Sequence, residues 1–311
     1  MAKYPFMTYV NDFMKRNKGA YADTTWSNLM RRYKRMNKDI KKLHEEEKIS
    51  TVSPKKMSVD DVHAYLMYRK SLNLSSKENS HDGSAMKKLF KFVKNKAFDE
   101  CLIDYPILKV RKKHVRLPAM DDSTYRKIVE ISKNIDPNDF ARNRAYCLVL
   151  LCLKSGARTK ELRLAELSDL DTKDWMFDII HVKGEDTYGE PRSLPINPEI
   201  RHIVESYLPL REKRLIENSV KSNALFPSNQ SEDGFLSANT LRKIKSIVEA
   251  DIGEKFDFRK LRRTFGQQLV DANVDIESVS VAMGHSTTKT TEINYARRKS
   301  EAANAKIMST W

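Results

Sequence analysis

Cationic and nucleophilic side chains recur at separated positions in the C-terminal part of the 311-residue chain. Arg158 follows an apolar segment, Lys183 ends a strand-like run, and three arginines crowd into the segment FRKLRRTF. The segment GHSTTKTTEINYA then brings His285 and, ten residues later, Tyr295, and no other tyrosine follows Tyr207. Together these residue types suit chemistry on an anionic group that a tyrosine attacks.

One reaction uses all of these residue types. A phosphodiester attacked by a tyrosine hydroxyl passes through a pentavalent state with extra negative charge on its non-bridging oxygens, which two arginines can clamp bidentately. A lysine can protonate the leaving 5′ oxygen. The tyrosine hydroxyl, whose ordinary pKa is about 10, needs a polarised setting to attack. The product is a protein–DNA phosphodiester that keeps the bond energy, so strands can be rejoined without ATP or a metal.

The same residues, in the same chain order, resemble the signature of the tyrosine recombinase (phage integrase) family. SGARTKELRLAELSDLD is similar to the family's first-arginine motif, RKLRRTF to its HxLRHTF motif, and MGHSTTKTTEINYA to its last motif. The resemblance covers residues 118–311 well and residues 1–117 more weakly. It implies catalytic roles for six residues: Arg158, Lys183, Arg259, Arg262, His285 and Tyr295.

Two positions depart from the family's pattern. Arg259 stands where the family usually has a histidine, which keeps a cation for the phosphate and removes an imidazole base. The spacing from His285 to Tyr295 is one residue longer than is usual in the family. The sequence therefore leaves open whether the tyrosine acts in its own subunit or in a neighbouring one.

Each of these residues also has a plain structural alternative. The arginines and the lysine could be surface cations, His285 could cap a turn, and Tyr295 could be a half-buried helix aromatic. Glu161, one turn after Arg158, could orient an active-site cation or form an ordinary ion pair. The functional interpretation depends on the conjunction, because a single charged residue rarely indicates catalysis.

The N-terminal third of the chain predicts helices. In TTWSNLMRRYKRMNKDIKKLHEEEK the apolar residues recur at helical spacing, and Thr24, Thr25 and Ser27 are candidate caps. Ser58 is a candidate cap for the next helix. Such helices can pack their apolar faces inside while they present lysines and arginines to phosphates.

The C-terminal region predicts helices interrupted by a β-hairpin. NRAYCLVLLCLKSG is a strongly apolar helix with Gly156 as its expected end. Two strand-like runs, from Met176 to Val182 and from Pro191 to Ile196, flank a Gly-containing polar loop. The expected fold class is therefore mainly α, with a helical N-terminal DNA-binding domain and a mixed α/β, mostly helical catalytic domain that contains a small β-hairpin or sheet.

The net charge of +15 is unevenly distributed along the chain. Residues 1–117 hold 27 Lys and Arg against 13 Asp and Glu, whereas residues 118–311 hold 30 against 29. A basic segment beside a nearly neutral one favours a module that grips a polyanion, although a solvated basic surface is the alternative. We expect a DNA-gripping domain at 1–103, a basic linker at 104–117 and a catalytic domain at 118–311.

Several other classes of protein find no support in the sequence. The sequence has no apolar run of about 18 residues, so it predicts no membrane span. The first residues do not resemble a signal peptide. The cysteines Cys101, Cys147 and Cys152 form no CxxC pair, the histidines are scattered, and no phosphate-binding loop occurs. We therefore expect a cytoplasmic, nucleoid-associated protein that uses no metal and no other cofactor.

The function predicted from the sequence is site-specific DNA recombination. The enzyme would cleave and rejoin DNA strands through a covalent 3′-phosphotyrosine, and would act as a homotetramer on double-stranded recombination sites. One alternative is a nicking-joining enzyme of the topoisomerase or telomere-resolvase type. A second alternative is a DNA-binding regulator whose active site is retired.

Overall fold

Two compact units make up the chain, Met1–Val115 and Arg116–Trp311, and each has a hydrophobic core of its own. The computed structural model describes residues 5–110, 118–182, 189–228, 233–295, 304 and 307–311. The division between the units falls inside the segment expected to be a linker, and the domain limits given above remain predictions.

Helices form the described part of the first unit. They are α1 (Phe6–Arg16), α2 (Asp23–Glu45), α3 (Val59–Ser71), α4 (Ser76–Phe92), α5 (Ala97–Asp104) and a 3-10 turn at Pro106–Leu108. The apolar face predicted for α2 is confirmed, because Tyr33, Met36 and Ile40 are fully buried in the core. This packing leaves the opposite face of α2, which carries lysines and arginines, in solvent.

The starts of α2 and α3 differ in how their first turns are capped. The Ser58 hydroxyl accepts a hydrogen bond from the Asp61 backbone N–H at 3.1 Å, and the Asp61 carboxylate accepts one from the Ser58 N–H at 2.9 Å. This reciprocal capping box confirms Ser58 as a cap. The caps predicted for α2 are wrong, because that helix begins after Ala22 and has no side-chain cap.

The second unit is built around a buried central helix. Its elements are α6 (Asp122–Lys133), α7 (Phe140–Ser155), α8 (Thr159–Leu164), β1 (Leu170–Asp171), β2 (Met176–Ile179), β3 (Arg192–Pro195), α9 (Arg201–Glu217), α10 (Ala238–Ile252), α11 (Phe258–Asp271), α12 (Ile276–Met283) and α13 (Thr288–Tyr295), with 3-10 turns at Leu167–Asp169 and Pro198–Ile200. Every residue of α7 from Ala145 to Leu153 is buried, and α7 packs against α6, α9, α10 and α11. Its ends therefore lie at fixed positions in the unit.

A small antiparallel sheet in the order β1-β2-β3 completes the second unit. Phe177 pairs with Leu194 and Ile179 pairs with Arg192, so β2 and β3 form the predicted hairpin. The strand β1 was not predicted, because its two residues are too few to show any alternation. The predicted fold class, mainly α with a small sheet in the C-terminal region, is confirmed. Among the described helices, none is both long and apolar enough to cross a membrane.

Candidate active site

The C-terminal end of α7 supplies one wall of the candidate site. Gly156 ends the helix with a φ of +61°, as predicted, and a Cβ at this position would lie 2.4 Å from Cδ1 of Phe265 on α11. Only glycine meets both conditions without strain. The close approach brings the Gly156 carbonyl to Arg262 on α11, whose Nη1 donates to it at 2.5 Å.

The C-terminal end of α12 supplies a second wall. Gly284 has a φ of +58°, its N–H donates to the Val281 carbonyl at 2.8 Å, and the His285 N–H donates to the Ser280 carbonyl at 3.0 Å. These two bonds form the Schellman turn that commonly closes a helix at glycine. The turn fixes the backbone of His285, and its positive φ favours a glycine directly before this histidine.

Arg158 meets the same turn from the start of α8. Its Nη2 donates to the Gly284 carbonyl at 2.6 Å, and its Nη1 donates to Oε1 of Glu161 at 2.6 Å. Glu161 also accepts the backbone N–H of Arg158 at 2.8 Å, so the carboxylate both starts the helix and orients the guanidinium. Glu161 therefore forms an ion pair with Arg158, and its role in orienting an active-site cation stays a prediction.

Arg262 reaches the turn from α11. Its Nη2 donates to the carbonyl of Met283, the residue just before Gly284, while its Nη1 holds the end of α7. The guanidinium groups of Arg158 and Arg262 therefore bind neighbouring carbonyls on one turn. The structure brings together three residues predicted for the site, Arg158, Arg262 and His285.

The environment of His285 is electropositive. Burial lowers the pKa of its imidazole, and the positive charges of Arg262, Arg158 and Arg192 lower it further, to about 4. Among the described groups, the near neighbours of the ring are thus three arginines, and its Nδ1 lies 2.8 Å from the hydroxyl of Thr291. The imidazole is neutral near pH 7 and can donate or accept one proton there.

Glu161 is the buried carboxylate that two of these arginines share. It is 3% exposed, and Arg192 donates from Nη2 to its Oε2 at 2.8 Å. Burial by itself would raise the pKa of the Glu161 carboxyl, but the hydrogen bond and charge of Arg192, with those of Arg158, outweigh burial and lower the pKa. The carboxylate is therefore ionised and fixed between the two guanidinium groups.

The helix α13 is tied to the site by two polar contacts. Thr291, which is fully buried, lies against His285, and the Asn294 Oδ1 accepts from Nη2 of Arg263 at 3.2 Å. Tyr295 is the last residue of α13, one helical turn after Thr291. The side chain of Tyr295 lies outside the described part of the chain, so its role as nucleophile remains a prediction.

Two other predicted residues do not join this cluster in the described structure. Arg259 lies one turn before Arg262, is 71% exposed at its side chain and pairs with Asp257 at 3.2 Å. No described hydrogen bond or ion pair links Arg259 to Arg158 or His285. Lys183 lies outside the described residues, in the segment that joins β2 to β3. The catalytic roles of Arg259 and Lys183 remain predictions.

Sequence reasoning missed Arg192 as a member of the site. Arg192 is the first residue of β3, is 9% exposed and shares a strand face with Leu194 and Ile196. A charged residue in an alternating apolar series is the signal that could have revealed it, since arginine is rarely buried without a partner. The partner, Glu161, was already under consideration.

Within the part of the chain that the structure describes, the cysteines and the metal-ligating residues do not form an alternative centre. Cys147 and Cys152 are fully buried free thiols, and burial raises the pKa of the Cys152 thiol to about 12. Such thiols are not thiolate nucleophiles at neutral pH. Among the residues that the structure describes, no group of three or more His, Cys, Asp or Glu has the arrangement to hold a metal ion.

A comparison with known protein families gives the class of protein to which the chain belongs. The chain belongs to the phage integrase family, whose model matches residues 118–302. This confirms the resemblance inferred from the motifs.

Particular relatives include Xer-type recombinases. The chain is 29% identical over 197 residues to the tyrosine recombinase XerC of Pseudomonas fluorescens (strain Pf0-1), with 62% of each chain covered. It is 31% identical over 205 residues to XerC of Pelotomaculum thermopropionicum, covering 63% of this chain and 64% of that one. It is 26% identical over 241 residues to XerD of Yersinia pestis, with 76% of each covered. The chain thus spans about three fifths of the length of the curated XerC relatives that it matches.

Solved structures share the fold. XerH recombinase bound to its difH substrate in a pre-cleavage complex matches with a TM-score of 0.66 and 18% identity, covering 97% of this chain and 89% of that one. The Tn1549 transposon integrase in complex with a circular intermediate DNA matches with a TM-score of 0.64 and 16% identity, covering 97% and 98%.

Proposed function

We propose that the chain is a site-specific DNA recombinase that cleaves and rejoins strands through a covalent 3′-phosphotyrosine. One observation carries this proposal: Arg158 and Arg262 bind adjacent carbonyls of the Met283–Gly284 turn, which continues directly into His285. Two arginines and a neutral imidazole at one point form a site for the non-bridging oxygens of a phosphodiester. The family membership of residues 118–302 supports the same conclusion.

The arginines would stabilise the transition state. As the tyrosine oxygen approaches phosphorus, negative charge grows on the non-bridging oxygens, and guanidinium groups that are already ordered bind the pentavalent state more strongly than the ground state. In this proposal the exposed Arg259 adds a cation for the DNA backbone, beside the clamp of Arg158 and Arg262.

His285 would act as a neutral hydrogen-bonding group. With a pKa of about 4, the imidazole is neutral near pH 7 and carries a single N–H, at either Nδ1 or Nε2. It can therefore donate one hydrogen bond to a phosphate oxygen, or accept the proton of the tyrosine hydroxyl. An anionic phosphate beside the ring would make the imidazole a better proton acceptor.

Tyr295 would be the nucleophile and Lys183 the acid. The Tyr295 hydroxyl gives its proton to the neutral imidazole of His285 as its oxygen bonds to phosphorus, the bond from phosphorus to the 5′ oxygen breaks, and Lys183 gives that oxygen a proton. The reverse steps rejoin a strand, and the phosphotyrosine bond conserves the energy. The position of Tyr295 on α13, which contacts His285 through Thr291, supports this assignment.

Double-stranded DNA recombination sites are the proposed partner, and a homotetramer on paired sites the proposed assembly. The neighbours XerH and the Tn1549 integrase were solved on DNA, and the basic first unit of this chain suits a polyanion. The exposed apolar residues Ile307, Met308 and Trp311 are candidates for contact with a neighbouring subunit. Such an enzyme would work at the nucleoid.

A nicked suicide substrate tests the proposal directly. The nick lies close to the scissile phosphate, so the short 5′-ended fragment is lost after cleavage and the protein stays attached to the DNA. We expect an adduct that survives SDS, and we expect Tyr295→Phe to abolish it while DNA affinity is kept. Tight binding without any adduct would favour the retired regulator.

A second assay separates recombination from simple nicking and joining. A plasmid with two copies of the site should yield recombinant circles if the chain is a recombinase. Adducts and relaxed plasmid without recombinants would favour an enzyme of the topoisomerase type. Sequencing the attached DNA end shows whether the tyrosine is joined to a 3′ phosphate.

A further inference from the structure

Arg192 joins three segments of the second unit that are distant in sequence. It begins β3, and from this strand its Nε donates to the Ala282 carbonyl at 2.9 Å and its Nη2 donates to Glu161 at 2.8 Å. Ala282 lies in the last turn of α12, and Glu161 lies in the first turn of α8. One guanidinium thus connects the hairpin, the helix end before His285 and the helix start after Arg158.

The approach of Arg192 to the Gly284 turn is unusually close. A Cβ at Gly284 would lie 2.7 Å from Nη1 of Arg192 and 3.4 Å from Nη1 of Arg158. Both guanidinium groups therefore lie close to the backbone of Gly284. A displacement of Arg192 would remove one of the three arginines, with Arg158 and Arg262, that bind carbonyls at the end of α12 and in the turn that carries His285.

The hydrogen bonding of Arg192 is incomplete. Its Nη1 is buried and has no hydrogen-bond partner among the described residues. A buried donor without a partner costs stability. Arg35 and Arg69 of the first unit each leave a buried Nε without a described partner as well, so this cost does not by itself indicate a role in the site; the three segments that Arg192 joins do.

We propose that Arg192 is a positioning residue, which fixes Glu161 and the Gly284–His285 turn so that Arg158 and His285 face one phosphate. The inference rests on the proposed function, since it assigns a role within the same site. Arg192 acts through Glu161 and the backbone, and is not itself placed on the DNA. The planar fork is essential, because only a guanidinium can reach the carbonyl and the carboxylate at once.

Three variants of the full chain separate the effect of positioning by the guanidinium from the effects of its charge and of fold stability. Arg192→Met removes the charge and the donors, and Arg192→Lys keeps the charge but loses the fork. Arg211→Met is the matched control, because Arg211 is also buried and its guanidinium donates to the carbonyls of Ala224 and Ser222, outside the site. For each variant, adduct formation on the suicide substrate is measured per folded molecule, together with DNA affinity.

Both Arg192 variants should lower the rate of adduct formation by about 100-fold, since a shift near 1 Å in a catalytic group has an effect of this size. Their DNA dissociation constants should stay within about threefold of the starting value. Arg211→Met should unfold more easily and keep its rate per folded molecule. Full activity of Arg192→Lys would overturn the proposal, and so would equal rate losses in the Arg192 and Arg211 variants.

The imidazole of His285 provides a readout that needs no catalysis. The charges of Arg158 just before α8, of Arg192 on β3 and of Arg262 on α11 act on the ring, and Thr291 on α13 is hydrogen-bonded to its Nδ1. Nitrogen-15 spectra should show His285 titrating near pH 4 in the unaltered chain and in Arg192→Lys, but at higher pH in Arg192→Met. The Nδ1 signal, which reports the hydrogen bond with Thr291, should change in both variants.

The two readouts distinguish failure of the inference from failure of the proposed function. If the unaltered chain formed no adduct, the recombinase proposal would fail, and the spectra would still decide the role of Arg192. An Nδ1 signal that is identical in the unaltered chain and both variants would overturn the positioning role, whatever the enzyme does.

Discussion

The two units of the chain use buried and part-buried arginines in different ways. In the first unit Arg32, Arg35 and Arg69 surround Asp82, with Nη to Oδ distances of 2.5 to 2.6 Å. Glu78 and Asp39 add two more carboxylates, so three guanidinium groups meet three carboxylates. This cluster is neutral and links α2, α3 and α4.

The second unit arranges its arginines differently. Arg158 and Arg192 share the single carboxylate of Glu161, and Arg262 binds the backbone carbonyls of Gly156 and Met283. Burial lowers the pKa of His285, and the positive charges of these arginines lower it further. Burial of an arginine is therefore no sign of function by itself. The two groups differ in their carboxylates, since three guanidinium groups meet three carboxylates in the first unit whereas Arg158 and Arg192 share one in the second.

Removal of one clamp arginine should give the largest effect. Arg262→Ala should lower the rate of adduct formation by about 1,000-fold, because one donor to developing charge contributes at this level. The rate is measured by single-turnover cleavage of the suicide substrate. Arg163→Ala, which removes an arginine that binds the Leu236 carbonyl, is the control. An equal loss of cleavage rate in both variants would contradict the distinction between an arginine of the candidate site and an arginine that only binds a distant carbonyl.

Removal of an arginine from the neutral cluster should instead affect stability. Arg69→Met removes the described ion-pair partner of Asp39 and one of the three partners of Asp82, so the cluster keeps one carboxylate charge too many, and the variant should lower the free energy of unfolding by about 3–5 kcal/mol. Denaturant titration, followed by the fluorescence of Trp26 in the first unit, measures this loss. Cleavage per folded molecule should be retained. A catalytic defect in folded Arg69→Met would contradict the structural role.

The outer face of α2 should carry the salt-dependent grip on DNA. Arg31, Lys34, Lys38 and Lys41 are exposed along one face and make no ion pair in the described structure. Replacing the three lysines by glutamine should reduce the slope of log K against log salt by about 0.9 for each phosphate that the protein no longer neutralises. The measurement is DNA binding by anisotropy at several salt concentrations. Lys48→Gln, whose lysine pairs with Glu46 at 2.8 Å, should leave the slope unchanged.

The smallest effect should be a pH dependence of stability. The pKa of His285 is about 4 in the folded chain and near 6.5 when unfolded, so the unfolded state binds more protons between these values. Stability from this group is therefore full above about pH 6.5 and falls as the pH is lowered toward 4. His285→Asn should flatten the fall in Tm over this window. Identical pH profiles for the two chains would show that the electropositive site has no such effect.

The fold followed from the sequence where a periodic pattern was long. The spacing of Tyr33, Met36 and Ile40 fixed the buried face of α2, and Gly156 marked the end of α7. The strand β1 is too short to show any pattern. The helix α1 was not singled out although its buried residues Phe6, Val10 and Phe13 recur at helical spacing. The caps proposed for α2 failed because Thr24 and Thr25 lie inside the helix, where packing of the apolar face decides the boundary.

The candidate site was predictable in part. The motifs identified Arg158, Arg262 and His285, and the structure brings these residues together. The motifs could not show the network beneath them, since the pairing of Arg192 with Glu161 spans 31 residues and depends on the strand register. Arg259, by contrast, matched a motif position and lies in solvent beside Asp257.

The helix ends that hold the arginines have a consequence for the proposed encounter with DNA. The carbonyls at the ends of α7 and α12 carry the partial negative charge of a helix terminus and already accept hydrogen bonds from the guanidinium groups. In the proposed function they would stand in for the phosphate oxygens, so these cations would be in place before any substrate arrives. The free-energy cost of arranging the charges would then be met during folding, and a DNA backbone entering the site would only exchange one set of oxygens for another.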